Sequence, residues 1–155
     1  MSVEFLGFIT NNEASETRVR SGPALDPGYI ETVAKAHELA GFDRAPLAFH
    51  STTPDGLQVA QHALGVTEKL KVMIAQRPGF TAPTVLARQL ATIENFHHGR
   101  VSLHVITGGN AKELRQDGNT LDDKDERYAR TSEWLDIIKQ EWTSEKPFDY
   151  AGKYY

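Results

Sequence analysis

Residues 69–107 read KLKVMIAQ-RPGFTA-PTVLARQLATIENFHHG-RVSLHVIT. The first block holds a short apolar run, Leu70 to Ala75, that predicts a strand over 69–76. Pro83 then opens a helix with Leu86, Leu90 and Ile93 on one face, ending near His98-Gly99. A second apolar run over 101–107 predicts another strand, broken by Gly108-Gly109-Asn110. Two strands joined by a crossover helix imply parallel pairing, because a hairpin-length connection is absent.

Outward from this unit the same alternation repeats. Residues 4–10 predict a first strand, and 11–25 a long polar loop. Asp26-Pro27 predicts a helix start, with Ile30, Val33, Ala34 and His37 as its stripe and Gly41 as its stop. Residues 44–50 predict a second strand, although Pro46 counts against a central position. Thr53-Pro54-Asp55 repeats the helix-start signal, for a helix reaching Gly65. Beyond the fourth strand a polar loop leads to a helix from about 125 to 142, with Tyr128, Thr131, Leu135, Ile138 and Trp142 along one side. The expectation is four β/α units, half of a (β/α)8 barrel, in a single partial domain over 1–155 that reads as a fragment or truncated chain. A small open sheet of the flavodoxin kind is the alternative. It would normally carry a phosphate loop after the first strand, and residues 11–16 contain no glycine.

Composition narrows the function classes. The 155 residues carry 39% hydrophobic and 25% charged side chains, with a net charge of −4, an ordinary globular balance. No basic block suggests nucleic acid. No cysteine is present, which excludes disulfides, thiolate metal sites and a cysteine nucleophile. The N-terminal stretch has an acid, Glu4, where a signal peptide carries a cation, and no apolar run approaches the roughly 18 residues of a membrane span. The sequence therefore predicts a soluble, cytoplasmic protein without a membrane or nucleic-acid partner.

In parallel α/β folds ligands meet the carboxyl ends of the strands. Here those ends are Thr10-Asn11-Asn12, Phe49 to Thr53, Gln76 to Phe80, and Ile106 to Asn110: polar, small and largely neutral, with one histidine and one arginine. No carboxylate pair converges there, which argues against glycosidase-like hydrolysis. His97-His98 are adjacent at a helix end, so no metal site is expected.

Four motifs, in order, are similar to those of the bacterial-luciferase-like flavin monooxygenases, with the alkanesulfonate monooxygenases as the nearest branch. They are Ala75 through Gln89, Gly99-Arg100 with His104 through Gly109, Glu126 through Arg130, and Phe148 through Tyr155. The resemblance implies a barrel that binds reduced FMN at its C-terminal mouth and uses O2 to oxidise a small organic substrate, such as an organosulfur compound. It further implies a separate NAD(P)H-dependent flavin reductase and a homo-oligomer.

The resemblance also implies site residues. Thr107 and Gly108 would lie against the flavin ring, and Arg77 and Pro78 beside it. Tyr128 would reach the phosphate or ribityl chain. Relatives often place a histidine one turn before that tyrosine, where this chain has Lys124. His50 and Thr53 follow the second strand as candidate catalytic groups; alkanesulfonate monooxygenases have a cysteine at the position of Thr53. A deazaflavin F420 oxidoreductase and a non-catalytic half-barrel are the alternative readings.

Overall fold

The computed structural model describes residues 3–15 and 17–155. The part of the signal-peptide reading that falls on Met1 and Ser2, and Glu16 of the glycine-free loop, lie outside the described residues. The elements run α1 (Pro27–Leu39), β1 (Arg44–Leu47), α2 (Gly56–Gly65), β2 (Lys71–Gln76), α3 (Pro83–His97), β3 (Val101–Val105), α4 (Ala111–Gln116) and α5 (Lys124–Thr143). The three strands form a parallel sheet in the order β1-β2-β3, with Ala45 opposite Val72 and Ile74 opposite Leu103. This is the parallel α/β arrangement expected of half a barrel.

Residues 4–10 lie parallel beside β1 as a fourth, imperfect strand, joined by one bridge between Leu6 and Arg44. The Gly7 N–H donates to the Arg44 carbonyl at 2.8 Å, and the Ile9 N–H to the Pro46 carbonyl at 3.2 Å. The next bridge needs an N–H at position 46 aimed at Gly7, and proline has none. Within a strand one residue's N–H and C=O point the same way, so the missing donor faces the N-terminal segment. Pairing on the other side is undisturbed, with Pro46 opposite Met73. The proline therefore sits inside a paired strand and weakens only its outer neighbour.

Asp26 and Asp55 are the N-caps of α1 and α2, accepting from the N–H groups of Tyr29 at 3.0 Å and Gln58 at 3.1 Å. Each satisfies a donor that the first helical turn leaves orphaned. α3 stops where His98 and Gly99 turn left-handed, at φ 42° and 81°. Ala45, Leu47, Val72 and Ile74 face the helices and are at most 3% exposed, packed with Ile30, Ala60, Leu64, Leu86 and Trp134. The opposite face of the sheet, which lines the interior of a closed barrel, is open: Leu6 and Phe8 are 51% and 49% exposed.

Two elements differ from expectation. The excursion after β3 is not all loop, since Asn110 accepts from the N–H groups of Lys112 and Glu113 and starts the six-residue α4. On α5 the buried face is Arg127, Thr131, Trp134, Ile137 and Ile138, rotated from the expected stripe. Tyr128 and Trp142 are 54% and 48% exposed. A hydropathy reading cannot turn Arg127 inward, so it chose the neighbouring face. Trp142 still anchors the helix, its indole N–H donating to the Ala87 carbonyl of α3 at 3.1 Å.

The first segment fits against α1 only because residue 7 lacks a side chain. A Cβ on Gly7 would lie 1.9 Å from the His37 ring. That ring is fixed by the Phe8 N–H at 3.2 Å and the Val33 carbonyl at 2.7 Å. Gly7→Ala is expected to destabilise the chain by about 1–3 kcal/mol in urea unfolding. Adding His37→Ala should recover most of that loss, and strictly additive effects in the double-mutant cycle would refute the contact.

Candidate cofactor and substrate site

Parallel pairing brings the carboxyl ends of residues 4–10, β1, β2 and β3 to one edge, and α4 lies across it. Arg77, the residue after β2, is 6% exposed. Its Nη2 donates to the Phe49 carbonyl at 3.1 Å and to Glu113 Oε2 at 3.1 Å, while the guanidinium sits 5.1 Å from the centre of the Phe49 ring. The Nε and Nη1 atoms of Arg77 are buried without a partner. Burying a cation in this way is expensive unless an anion accompanies it.

Glu113 supplies that anion. Its Oε1 accepts from the Ser51 N–H at 3.0 Å and lies 3.3 Å from His50 Nδ1. The Ser51 hydroxyl lies 2.5 Å from Asp117 Oδ2 and 3.0 Å from the Glu113 carbonyl, two acceptors for its one proton, and so ties α4 to the loop after β1. Burial pushes the Glu113 carboxyl up, but the hydrogen bond and charge of Arg77, with the Ser51 N–H and His50, outweigh it and hold it below the usual carboxylate range. Glu113 was not among the residues expected from the sequence. The signal was present, because Asn110 with a glutamate three residues on has the spacing of a helix N-terminus.

His50 thus joins Arg77 through Glu113, and it lines a cavity of about 260 Å³ with Thr10, Asn12, Arg20 and Thr53. The Thr53 hydroxyl is engaged locally, donating to the His50 carbonyl at 3.0 Å. Pro78 accepts from Arg130 Nη2 at 2.8 Å, and Gly79 at φ 95° leaves no room for a Cβ beside that guanidinium. Thr107 is partly buried at the end of β3. The space beside Gly108 is filled by Leu114 of α4: a Cβ there would lie 2.5 Å from Leu114 Cδ2. Lys124 and Tyr128 form their own pair at the start of α5, the ammonium 5.7 Å from the ring centre. No hydrogen bond among the described residues joins that pair to Arg77 or Gly108.

Two further arginines were missed because arginines in a charged helix ordinarily point to solvent. Arg127 is 8% exposed and reaches the carbonyls of Asp122 at 2.5 Å and Gly108 at 3.4 Å. Arg130 also holds Asn119 Oδ1 at 2.9 Å. The Nε atoms of both, and Asn119 Nδ2, are buried and unpartnered. The ends of β2 and β3 therefore carry more buried donors and positive charge than Glu113 answers. Among the described residues no group of three His, Asp or Glu side chains is placed to hold a metal ion.

A family model described as luciferase-like monooxygenase matches residues 3–155. Among solved structures, the chain is similar to the EDTA monooxygenase of Chelativorans sp. BNC1, with a TM-score of 0.83 and 19% identity over 98% of this chain and 44% of that one. The oxygenating constituent of 3,6-diketocamphane monooxygenase from the CAM plasmid of Pseudomonas putida, in complex with FMN, gives 0.82 and 18% over 100% and 43%. The coenzyme F420 dependent tetrahydromethanopterin reductase of Methanopyrus kandleri gives 0.77 and 20% over 99% and 44%. The chain thus spans less than half the length of these structures.

The depressed Glu113 carboxyl has a pH consequence. Such a group contributes stability above the unfolded carboxyl's pKa and loses it as pH falls through the folded value. The Leu114 N–H bonds to the Asn110 carbonyl at 3.0 Å, and its exchange protection, corrected for intrinsic rate, reports on α4. Protection is expected to hold down to about pH 5 and to fall below about pH 4. Unchanged protection across that range would show that the ion pair does not hold α4.

Proposed function

The chain belongs to the luciferase-like monooxygenase family, and on that premise we propose that it forms half of a flavin-dependent monooxygenase barrel that uses reduced FMN and O2 to oxidise a small organosulfur substrate of the alkanesulfonate kind. The observation that carries the reading is the family match across the chain, and the buried, under-answered arginines at the strand ends support it. A phosphate-bearing cofactor suits Arg127 and Arg130, on the same helix as Tyr128, because their unpartnered N–H groups are donors that a phosphate oxygen can accept from. The FMN carried by a neighbour of the same fold also supports FMN.

In this reading Arg77, Pro78, Thr107 and Gly108 border the isoalloxazine, and Lys124 and Tyr128 meet the phosphate end. Bound reduced flavin supplies the electrons that activate O2. The chain's own residues bind, orient and exclude water. Phe49 and Phe80, with ring centres 5.8 Å apart, provide an apolar wall beside Arg77. His50, whose Nδ1 faces Glu113, keeps Nε2 as the ring nitrogen available to hold or pass a proton in the cavity; Thr53 fixes the loop that carries it. A separate NAD(P)H-dependent reductase supplies reduced flavin to a cytoplasmic homo-oligomer. No helix among the described residues is long and apolar enough to cross a membrane.

A second reading, hydride transfer with F420, is favoured by the F420-dependent neighbour. Oxygen-dependent consumption of the alkanesulfonate with FMN, NADH and a flavin reductase separates the two, measured on the sulfonate and not as oxygen uptake because free reduced FMN consumes O2 unaided. The F420 reading requires no such consumption.

With about half of a barrel's strands present, the 155-residue chain is expected to bind FMN more weakly than micromolar in a fluorescence titration. Arg127→Met should weaken that binding about tenfold further and leave riboflavin unaffected. Equal effects on FMN and riboflavin would remove the arginines from the phosphate site.

A further inference from the structure

We propose that Arg77, the Ser51 N–H and His50 form an oxyanion cradle that the Glu113 carboxylate fills from within, and that a phosphate or sulfonate group of a bound ligand takes its place as α4 swings away. This deepens the reading above and rests on it only in placing ligands at this edge of the sheet.

The cradle is built for an anion with two or more oxygens. One Glu113 oxygen takes the Ser51 N–H at 3.0 Å and lies 3.3 Å from His50, and the other takes Arg77 at 3.1 Å. Arg77 is pinned by the Phe49 carbonyl at 3.1 Å and retains two buried donors, Nε and Nη1, that no group answers. A carboxylate leaves those two donors idle; a tetrahedral phosphate or sulfonate has a third oxygen to offer them.

The element that delivers Glu113 is loosely attached. α4 has six residues, of which Leu114 alone is buried. It hangs between Gly108 at φ 77° and Gly118 at φ 82°, backbone conformations that glycine adopts freely. Few buried contacts and exposed surroundings mark a segment that opens at low free energy. When α4 leaves, Leu114 leaves with it, and the space beside Gly108 opens in the same motion. One displacement therefore frees both a charged cradle and an apolar slot next to it. A tethered carboxylate competes as an anion at millimolar effective concentration, so free anions should bind the intact chain weakly.

The test is calorimetric titration of inorganic phosphate into the full chain, with exchange at the α4 amides followed in parallel. Wild type should bind weakly and expose α4 as phosphate is added. Glu113→Gln should bind at least tenfold tighter. Leu114→Ala, which frees α4 while Glu113 remains, should also bind tighter. Adding Arg77→Met to Glu113→Gln should abolish the gain; should that pair fail to fold by circular dichroism, Arg77→Lys, which keeps the charge but not the fork, should lose most of it. No gain in Glu113→Gln, or a gain that survives loss of the Arg77 guanidinium, overturns the proposal.

Two further probes identify the source of the oxyanion. A gain for FMN and not riboflavin assigns the cradle to the cofactor's phosphate and moves Arg77 from the ring to the phosphate end; a gain for ethanesulfonate assigns it to the substrate and leaves Arg77 beside the ring. No gain for either overturns the role in ligand binding. If phosphate and ethanesulfonate show the gain while FMN and riboflavin bind neither wild type nor Glu113→Gln even at millimolar concentration, the cradle stands and the flavin reading fails.

Discussion

Parallel pairing is the constraint on which this molecule depends. A strand that re-enters a sheet in the same direction must first return along its outside, so each strand is followed by a helix and every carboxyl end emerges at one edge. Arg77 and His50 are 27 residues apart in sequence, and Gly108 is further still, yet register alone makes them neighbours. Ala75 lies opposite His104 and Gln76 opposite Val105, so whatever follows β2 and β3 shares that edge. The opposite end takes the structural work. There Glu38 accepts the N–H groups of Glu68, Lys69 and Leu70, and Arg100 spans the carbonyls of Leu64 and Thr67. Glu38 is caught between burial, which raises its carboxyl, and those N–H groups, which lower it further than burial raises it. The two ends differ in degree. At the N-terminal end Glu38 answers three backbone donors and Arg44 Nε and His97 Nε2 are left buried and unpartnered, while at the C-terminal end Arg77, Arg127, Arg130 and Asn119 all keep unpartnered donors.

Much of the architecture was legible because its signals are local. Asp26 and Asp55 cap the helices that their sequence context announced, and Gly99 stops α3 as expected. Pro46 misled only in part, since its missing donor affects one neighbour and spares the other. The candidate site was legible by position and not by partner. Arg77, His50, Thr107 and Gly108 all reach the expected edge, but their relationships run through Glu113 and Leu114. Those two belong to a six-residue helix whose remaining residues face solvent. No hydropathy period can emerge from so short an element, and the side-chain partners of Glu113 lie 36 to 63 residues away in sequence. Arg127 escaped for the converse reason, as a charge pointing inward from a face that hydropathy assigns to water.

Gly108 shows how one residue supports two readings. Its small size resembles room left for a flat ring, and the structure fills that room with Leu114. The two readings are compatible only if α4 moves, and what ties α4 to the strand ends is one leucine and the contacts of Glu113 with Arg77, His50 and Ser51. The open sheet face carrying Leu6 and Phe8 sets a different boundary: exposed apolar surface and free strand edges favour association with further strands.

The ion pair between Arg77 and Glu113 is a poor device for stability alone. Replacing a buried pair with apolar side chains of similar volume is often neutral or stabilising, and Arg77 already lies against Phe49 with Phe80 beside it. An apolar residue at position 77 would extend that wall without leaving two guanidinium donors unanswered. The arginine makes physical sense where the anion facing it is exchangeable: a fixed cation loses little when one carboxylate leaves, provided another oxyanion arrives with better geometry. Because the arginine is pinned by the sheet edge and the glutamate hangs from glycine hinges, the cation stays fixed and the anion is the member that can be exchanged.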